Sequence, residues 1–204
     1  MGLERPDQLV AFCLELSSEK PSPGGGTASA AAGAMAASLL IMVCGITARS
    51  KRHEAARPKL AKHREVLVRI RDDLIRLAAE DAAAYDLVVE AIQKRKEEPG
   101  EEAERRVQEA FVRAAEVPSS TAEACLKVMS IGSEVATLGT RSATSDTGAA
   151  ILLAEAGFKG AAMNVRINVK YISDEAYVAA AEKELELREE ESESTVKAAL
   201  EALH

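Results

Sequence analysis

The chain is 204 residues long, 47% hydrophobic and 29% charged, with a formal net charge of −7. That length can bury a real core, the hydrophobic share excludes a disordered chain, and the acidic balance argues against general nucleic-acid binding, which needs a basic surface. Aromatics at 3% make base-stacking platforms and aromatic cages poor candidates for the organising feature of a site. Cys13, Cys44 and Cys125 are widely separated and odd in number, and no C-x-x-C occurs. They suggest neither a disulfide framework nor a zinc site, which fits a cytoplasmic protein with reduced thiols.

Taken in order, the chain reads as helix nearly throughout. Ala is frequent, Glu, Leu, Lys and Arg fill much of the rest, and period-two β-branched runs are absent. Pro6 and Asp7 open a first helix to about Leu16. Ser17 to Gly26 is a loop, broken by Pro21, Pro23 and three glycines, and Thr27 is placed to N-cap a second helix. From Ala28 to Thr47 there are 20 residues without a charge, the length of a membrane span. Most are Ala, Gly and Ser, which gain little from lipid, and strong apolar residues cluster only from Leu39 to Ile46. A signal peptide fits poorly, because Glu4, Asp7 and Glu15 come first. The segment is expected to be a helix buried on all sides of a soluble protein, with Ala30, Gly33, Ala34 and Ala37 letting neighbouring helices approach.

Arg57-Pro58 permits a new helix start. An amphipathic helix then runs from Leu60 to about Lys94, with Leu67, Ile70, Leu74, Leu77, Val88 and Ile92 on one stripe. After a loop at 97–100, two helices are expected, about Glu101 to Ala115 and Pro118 to Gly132. Gly139 to Ser145 is a polar loop. Ser145 or Asp146 caps a helix that reaches about Tyr171, and Ser173-Asp174 caps the last one, which ends near Leu203. The Glu-rich stretch 182–193 reads as a solvated helix face. With no repeat and no linker, the expectation is one all-α domain over residues 1–204. It is a bundle of six to seven helices around the central small-residue helix.

Five features can carry chemistry, each beside a plainer reading. Gly24-Gly25-Gly26-Thr27 exposes backbone N–H groups at a helix N-terminus, or is simply a turn with a Thr cap. Asp81 falls on the buried side of its helix, where a carboxylate suits acid/base work, with Tyr85 one turn on as a possible hydrogen-bond partner; or it marks the stripe margin. Asp146 is a loop-delivered carboxylate or part of an N-cap. Asn164 and Asn168 share a helix face with Gly157, Gly160 and Ala161, either as a groove for a polar heterocycle or as amides that tie helices together. The tract Arg49 to Arg76, with ten Lys/Arg against four Asp/Glu, either steers an anionic substrate or is a solvated surface. His53, His63 and His204 form no H-x-x-x-H, so a metal site has no support.

At these residues the sequence resembles the cyclodeaminase/cyclohydrolase family of folate enzymes over almost its whole length. The most specific match is Pro21-Ser-Pro-Gly-Gly-Gly-Thr27 running into the small-residue helix. Glu80-Asp81-Ala-Ala-Ala-Tyr85, Val117-Pro118, Ser145-Asp146 and Asn164-Val-Arg-Ile-Asn168 come after it in the family's order. The resemblance implies an all-helical homodimer with a tetrahydrofolate site between helices, no metal, and no cofactor beyond the tetrahydrofolate substrate. It implies Asp81 and Asp146 as catalytic acid/base candidates. Gly24, Gly25, Gly26, Thr27, Asn164 and Asn168 become substrate-binding candidates, joined by Lys51 in the basic stretch after Thr47. The expected partner is a tetrahydrofolate derivative, with or without a polyglutamate tail, and neither nucleic acid nor membrane.

The expected reaction is hydrolysis of 5,10-methenyltetrahydrofolate to 10-formyltetrahydrofolate. The alternative is cyclodeamination of formimidoyltetrahydrofolate with release of ammonia. The absence of a transferase domain in the sequence favours hydrolysis slightly. A non-catalytic folate-binding or scaffold protein, and anion or RNA binding through the basic tract, are the competing classes.

Overall fold

The computed structural model describes residues 6–203; Glu4 and His204 lie outside them. Six α-helices carry the described residues: α1 (Pro6–Leu16), α2 (Gly25–Arg49), α3 (Arg57–Glu97), α4 (Glu101–Leu138), α5 (Thr144–Val169) and α6 (Glu175–Glu201). Short 3-10 turns at Lys51–Ala56 and Arg141–Ala143 join α2 to α3 and α4 to α5, and no strand occurs among the described residues. α2 packs against α3, α4 and α5, and α6 closes over α4 and α5. The all-α bundle with a small-residue helix at its hub is what forms.

Small side chains put α2 there. Ala30, Ala36 and Ala37 are fully buried. A Cβ on Gly33 would lie 2.6 Å from the Cys125 sulfur, and one on Gly157 of α5 would lie 2.7 Å from the Ser29 carbonyl oxygen. Larger side chains would hold the helices apart and forfeit the contacts between them. The larger residues Leu40 and Val43 then join Leu67 and Leu74 of α3, Met129 of α4 and Phe158 of α5 in one core. The covering is not complete, contrary to expectation. Met35, Met42 and Ile46 form a stripe on α2 that is 40–50% exposed, because α3 and α5 flank the helix and nothing among the described residues closes the side between them. By length and composition α2 could cross a bilayer, yet half of its most apolar window is buried in the bundle.

Three local expectations are overturned, each by a tertiary contact or by the backbone next to it. The helices expected on either side of Pro118 are one helix, α4, with Pro118 inside it. A proline lacks the N–H that would bond the carbonyl four residues back, here Ala114. Asn168 of α5 donates its Nδ2 to that carbonyl at 2.7 Å, and Val117, Pro118, Thr121 and Ala122 are buried, so the helix continues. Thr27 is not an N-cap: α2 begins at Gly25, after Gly24, and Thr27 occupies the third helical position. Ser145 and Asp146 do not cap α5, which begins at Thr144 without a capping side chain because the preceding 3-10 turn already coils the backbone. Asp174 does cap α6, accepting from the backbone N–H groups of Ala176 and Tyr177.

Two glycine substitutions test this packing. Gly157→Ala forces α2 and α5 apart and is expected to cost about 1–3 kcal/mol. Gly45→Ala has nothing within 4 Å of its new methyl and is expected to be neutral or stabilising, since Ala is the better helix former. Urea unfolding of the two variants beside wild type checks both. Equal losses would contradict the close-packing account.

Candidate functional site

A cleft of about 430 Å³ opens where the start of α2 meets the middle of α3, the first half of α4 and the end of α5. Gly24, Gly25 and Gly26 form one wall. Asp81, Tyr85, Val88 and Ile92 come from α3, Phe111 and Ala114 from α4, and Asn164, Ile167, Asn168 and Tyr171 from α5 and the turn after it. Asp81 is the one charged side chain among these lining residues.

Asp81 sits on the inner margin of α3 and is half-buried. Its Oδ2 accepts a hydrogen bond from the Thr27 hydroxyl at 2.9 Å, and the Thr27 backbone N–H lies close enough to favour the charged carboxylate. Thr27 is the third residue of α2, whose first N–H groups have no partner within the helix. The carboxylate of α3 therefore caps α2 across the tertiary contact, where Gly24 has no side chain to do so. Gly26 makes the approach possible: a Cβ there would lie 2.1 Å from Asp81 Oδ1. The positive end of α2 is thus taken by the chain's own carboxylate rather than left open for an anion. Burial pushes the Asp81 carboxyl above its ordinary range, and the Thr27 hydroxyl and backbone N–H pull it back without cancelling the shift. Tyr85 does not bond Asp81; it stands 38% exposed on the cleft wall.

The Asn164 and Asn168 amides both reach the cleft, but only Asn168 ties one helix to another. Asn164 donates to the Gly160 carbonyl at 2.8 Å, and Asn168 to the Ala114 carbonyl. The groove expected beside Gly157 and Gly160 is filled by α2, since a Cβ on Gly160 would lie 2.3 Å from the Ser29 hydroxyl oxygen. Aromatic residues are more concentrated here than composition suggests. Phe111 and Tyr171 stack with ring centroids 4.8 Å apart, and with Tyr85 they place half of the chain's six aromatics on this cleft. Gln108 fixes the stack: its Nε2 donates to the Tyr171 carbonyl at 3.2 Å and its Oε1 accepts from the Ser173 N–H at 2.7 Å. Neither Phe111 nor Gln108 carried a local signal, because both sit among ordinary positions of an amphipathic helix.

Two candidate residues lie elsewhere. Asp146 is in the first turn of α5, 18 residues before Asn164 and so about 27 Å away along the axis. Lys51 is exposed just beyond the other end of α2. The Thr140 N–H bonds the Thr47 hydroxyl at 3.2 Å, which sets the start of α5 beside the end of α2, at the far end from the cleft. The two helices run antiparallel, so neighbours of their opposite ends are separated by a helix length. Asp146 there complements the positive end of α5. None of the basic residues from Arg49 to Arg76 lines the cleft, and Arg57, Lys59, Arg71 and Arg76 pair with Glu54, Glu134, Asp72 and Asp73. Burial pushes the Cys44 thiol to about 11 and Cys125 to about 12, so neither is a thiolate at neutral pH. Among the described residues no group of three or more His, Cys, Asp or Glu side chains is placed to share a metal ion.

Fold and cleft together define a class: an all-α domain with a small-molecule cleft built around a half-buried carboxylate. The profile of the formiminotransferase-cyclodeaminase family matches residues 8–187, and the chain belongs to that family. It is 37% identical over 182 residues to the methenyltetrahydrofolate cyclohydrolase of Methylorubrum extorquens, covering 88% of each chain. It is 30% identical over 174 residues to the formimidoyltransferase-cyclodeaminase of Sus scrofa, covering 84% of this chain and 32% of that longer one. The crystal structure of formiminotetrahydrofolate cyclodeaminase from Thermotoga maritima superposes with a TM-score of 0.88 at 31% identity, covering 96% of this chain and 94% of the other.

The Asp81 environment predicts a trade of stability for charge. A carboxyl whose pKa is raised by folding contributes most stability at low pH and loses that contribution as pH rises through the folded value. Asp81→Asn removes the desolvated charge while keeping an acceptor for Thr27. The variant is therefore expected to melt at or above the wild-type temperature at pH 7, with the gap narrowing as the pH is lowered through the carboxylate range. Thermal melts across pH check this, and a variant less stable than wild type at every pH would contradict it.

Proposed function

We propose that this chain hydrolyses 5,10-methenyltetrahydrofolate to 10-formyltetrahydrofolate, with Asp81 as its acid/base group. The observation that carries the reading is the lone carboxylate of the cleft, raised above its ordinary range and held by Thr27 at the start of α2. The relative from Methylorubrum extorquens supports the same reaction.

The substrate's methenyl carbon bridges N5 and N10 and bears a positive charge delocalised over both nitrogens. A carboxylate opposite it favours that cation by direct attraction, strengthened where water is excluded. Water adds to the carbon as Asp81 takes its proton, giving a neutral tetrahedral carbon that bears a hydroxyl and both nitrogens. The carbon–N5 bond then breaks, Asp81 returns the proton to N5, and loss of the hydroxyl proton leaves a formyl group on N10. A carboxyl with a raised pKa can accept and return one proton near neutral pH more readily than an ordinary aspartate. Tyr85 and the stacked Phe111–Tyr171 pair offer flat faces to the pterin and aminobenzoyl rings, and the Asn164 and Asn168 amides offer polar contacts. No metal and no cofactor beyond the folate enters this scheme.

The same carboxylate serves the second reading, cyclodeamination, which the Thermotoga maritima structure favours. There N10 attacks a formimino carbon on N5, and Asp81 moves the proton from N10 to the departing ammonia. We further propose a cytoplasmic homodimer in which a second copy covers the Met35–Met42–Ile46 stripe of α2 and the exposed Leu152 of α5. The polyglutamate tail, where present, leaves the cleft toward solvent.

Loss of methenyl absorbance measures the reaction. Asp81→Asn is expected to lower kcat by roughly 10²–10⁴-fold, while Asp146→Asn stays close to wild type. Unchanged turnover in the first variant, or loss in the second equal to the first, would overturn the assignment. For the dimer, Met42→Glu is expected to give a monomer in analytical ultracentrifugation, and a wild-type monomer at micromolar concentration would refute it.

A further inference from the structure

The amide of Asn168 is oriented from another helix. Pro118 leaves the Ala114 carbonyl without its helical partner, and of the two ends of an amide only the N–H end can fill the gap. Asn168 Nδ2 does so at 2.7 Å, a distance at which the amide oxygen would repel. Its Oδ1 therefore points away from α4, accepts no hydrogen bond from the described residues and stays open on the cleft lining. An asparagine free to turn would present either end; this one, with one Nδ2 proton spent on Ala114, is held with its oxygen as an acceptor on the cleft side.

We propose that Pro118 is a positioning residue for the cleft: by orphaning the Ala114 carbonyl it locks Asn168 with its oxygen toward the ligand. The lock selects ligands that carry an N–H donor at that point, as the aminopyrimidine edge of a pterin does, and this ligand half rests on the folate reading. Pro118 touches no ligand itself. It also explains why a proline inside a long helix is compatible with an unbroken α4.

A stability cycle tests the lock without reference to activity. Asn168→Ala in the otherwise native chain leaves the Ala114 carbonyl bare and is expected to lower Tm by roughly 3–8 °C. In the Pro118→Ala background the helix supplies its own N–H to that carbonyl, and the same substitution is expected to cost less than half as much. Asn168→Asp, which keeps the size but cannot donate when ionised, repeats the cycle should the first variant fold poorly. Equal costs in both backgrounds would overturn the lock. The kinetic arm uses 5,10-methenyltetrahydrofolate. Pro118→Ala is expected to keep or raise Tm, keep kcat, and raise KM about tenfold, the worth of one lost hydrogen bond. An unchanged KM would overturn the positioning role, because a proline needed only for structure moves Tm and leaves KM alone. Absence of any folate turnover in the native chain would sink the folate reading and the ligand half with it, while the stability cycle still decides the orientation of Asn168.

Discussion

The carboxylate of Asp81 against the first turn of α2 is the contact around which this molecule is arranged. It joins two opposed demands. The start of α2 needs an acceptor, and its three glycines provide none, so a carboxylate from α3 is drawn in. The same position withdraws that carboxylate from water, which raises its pKa despite the donors of Thr27. One geometry thereby satisfies a helix end, sets the spacing of α2 and α3, and leaves a partly desolvated acid at the floor of a cleft. Gly26 is the condition for all three, since any side chain there would occupy the carboxylate's place.

The rest of the bundle serves to hold that end of α2 still. Gly33 against Cys125, Gly157 against Ser29 and Gly160 against the Ser29 hydroxyl bring three helices within backbone reach. Contacts this close tolerate little adjustment, which is how a cleft between helices keeps its shape. α4 is threaded into the same frame by Asn168, and Gln108 sets the turn that carries Tyr171 onto Phe111. Two polar side chains of the cleft wall, Asn164 and Asn168, are thus themselves tied to backbone.

Much of this was readable in advance where the signal was local and periodic. The apolar stripe of α3, the small residues of α2 and the Asp174 cap rest on spacing or on a run of residues, whereas Asp81, Gly24–Gly26, Asn164 and Asn168, which share one cleft, stand out from the alternatives only through the family resemblance. What was not readable depends on distant residues. Thr27 looks like a cap because Asp81, 54 positions away, is invisible in the local sequence. Pro118 looks like a helix break because its remedy is Asn168 on another helix. Asp146 and Lys51 look like site residues from motif order alone, yet the antiparallel course of α2 and α5 carries both to the opposite end. The low aromatic content is true of the chain and untrue of the cleft, which gathers half of those rings.

The central claim is that Asp81, tuned by Thr27, moves the proton in the chemical step. The most direct test is the pH dependence of kcat for methenyltetrahydrofolate hydrolysis in wild type and in Thr27→Val, which keeps the size of the side chain and removes the hydroxyl. Thr27 holds the Asp81 pKa down, so its loss raises that pKa further. The account predicts an acid limb above the ordinary aspartate range in wild type, shifted to higher pH in the variant, with turnover retained on the plateau. An acid limb at the same pH in both proteins would show that a different group carries the proton.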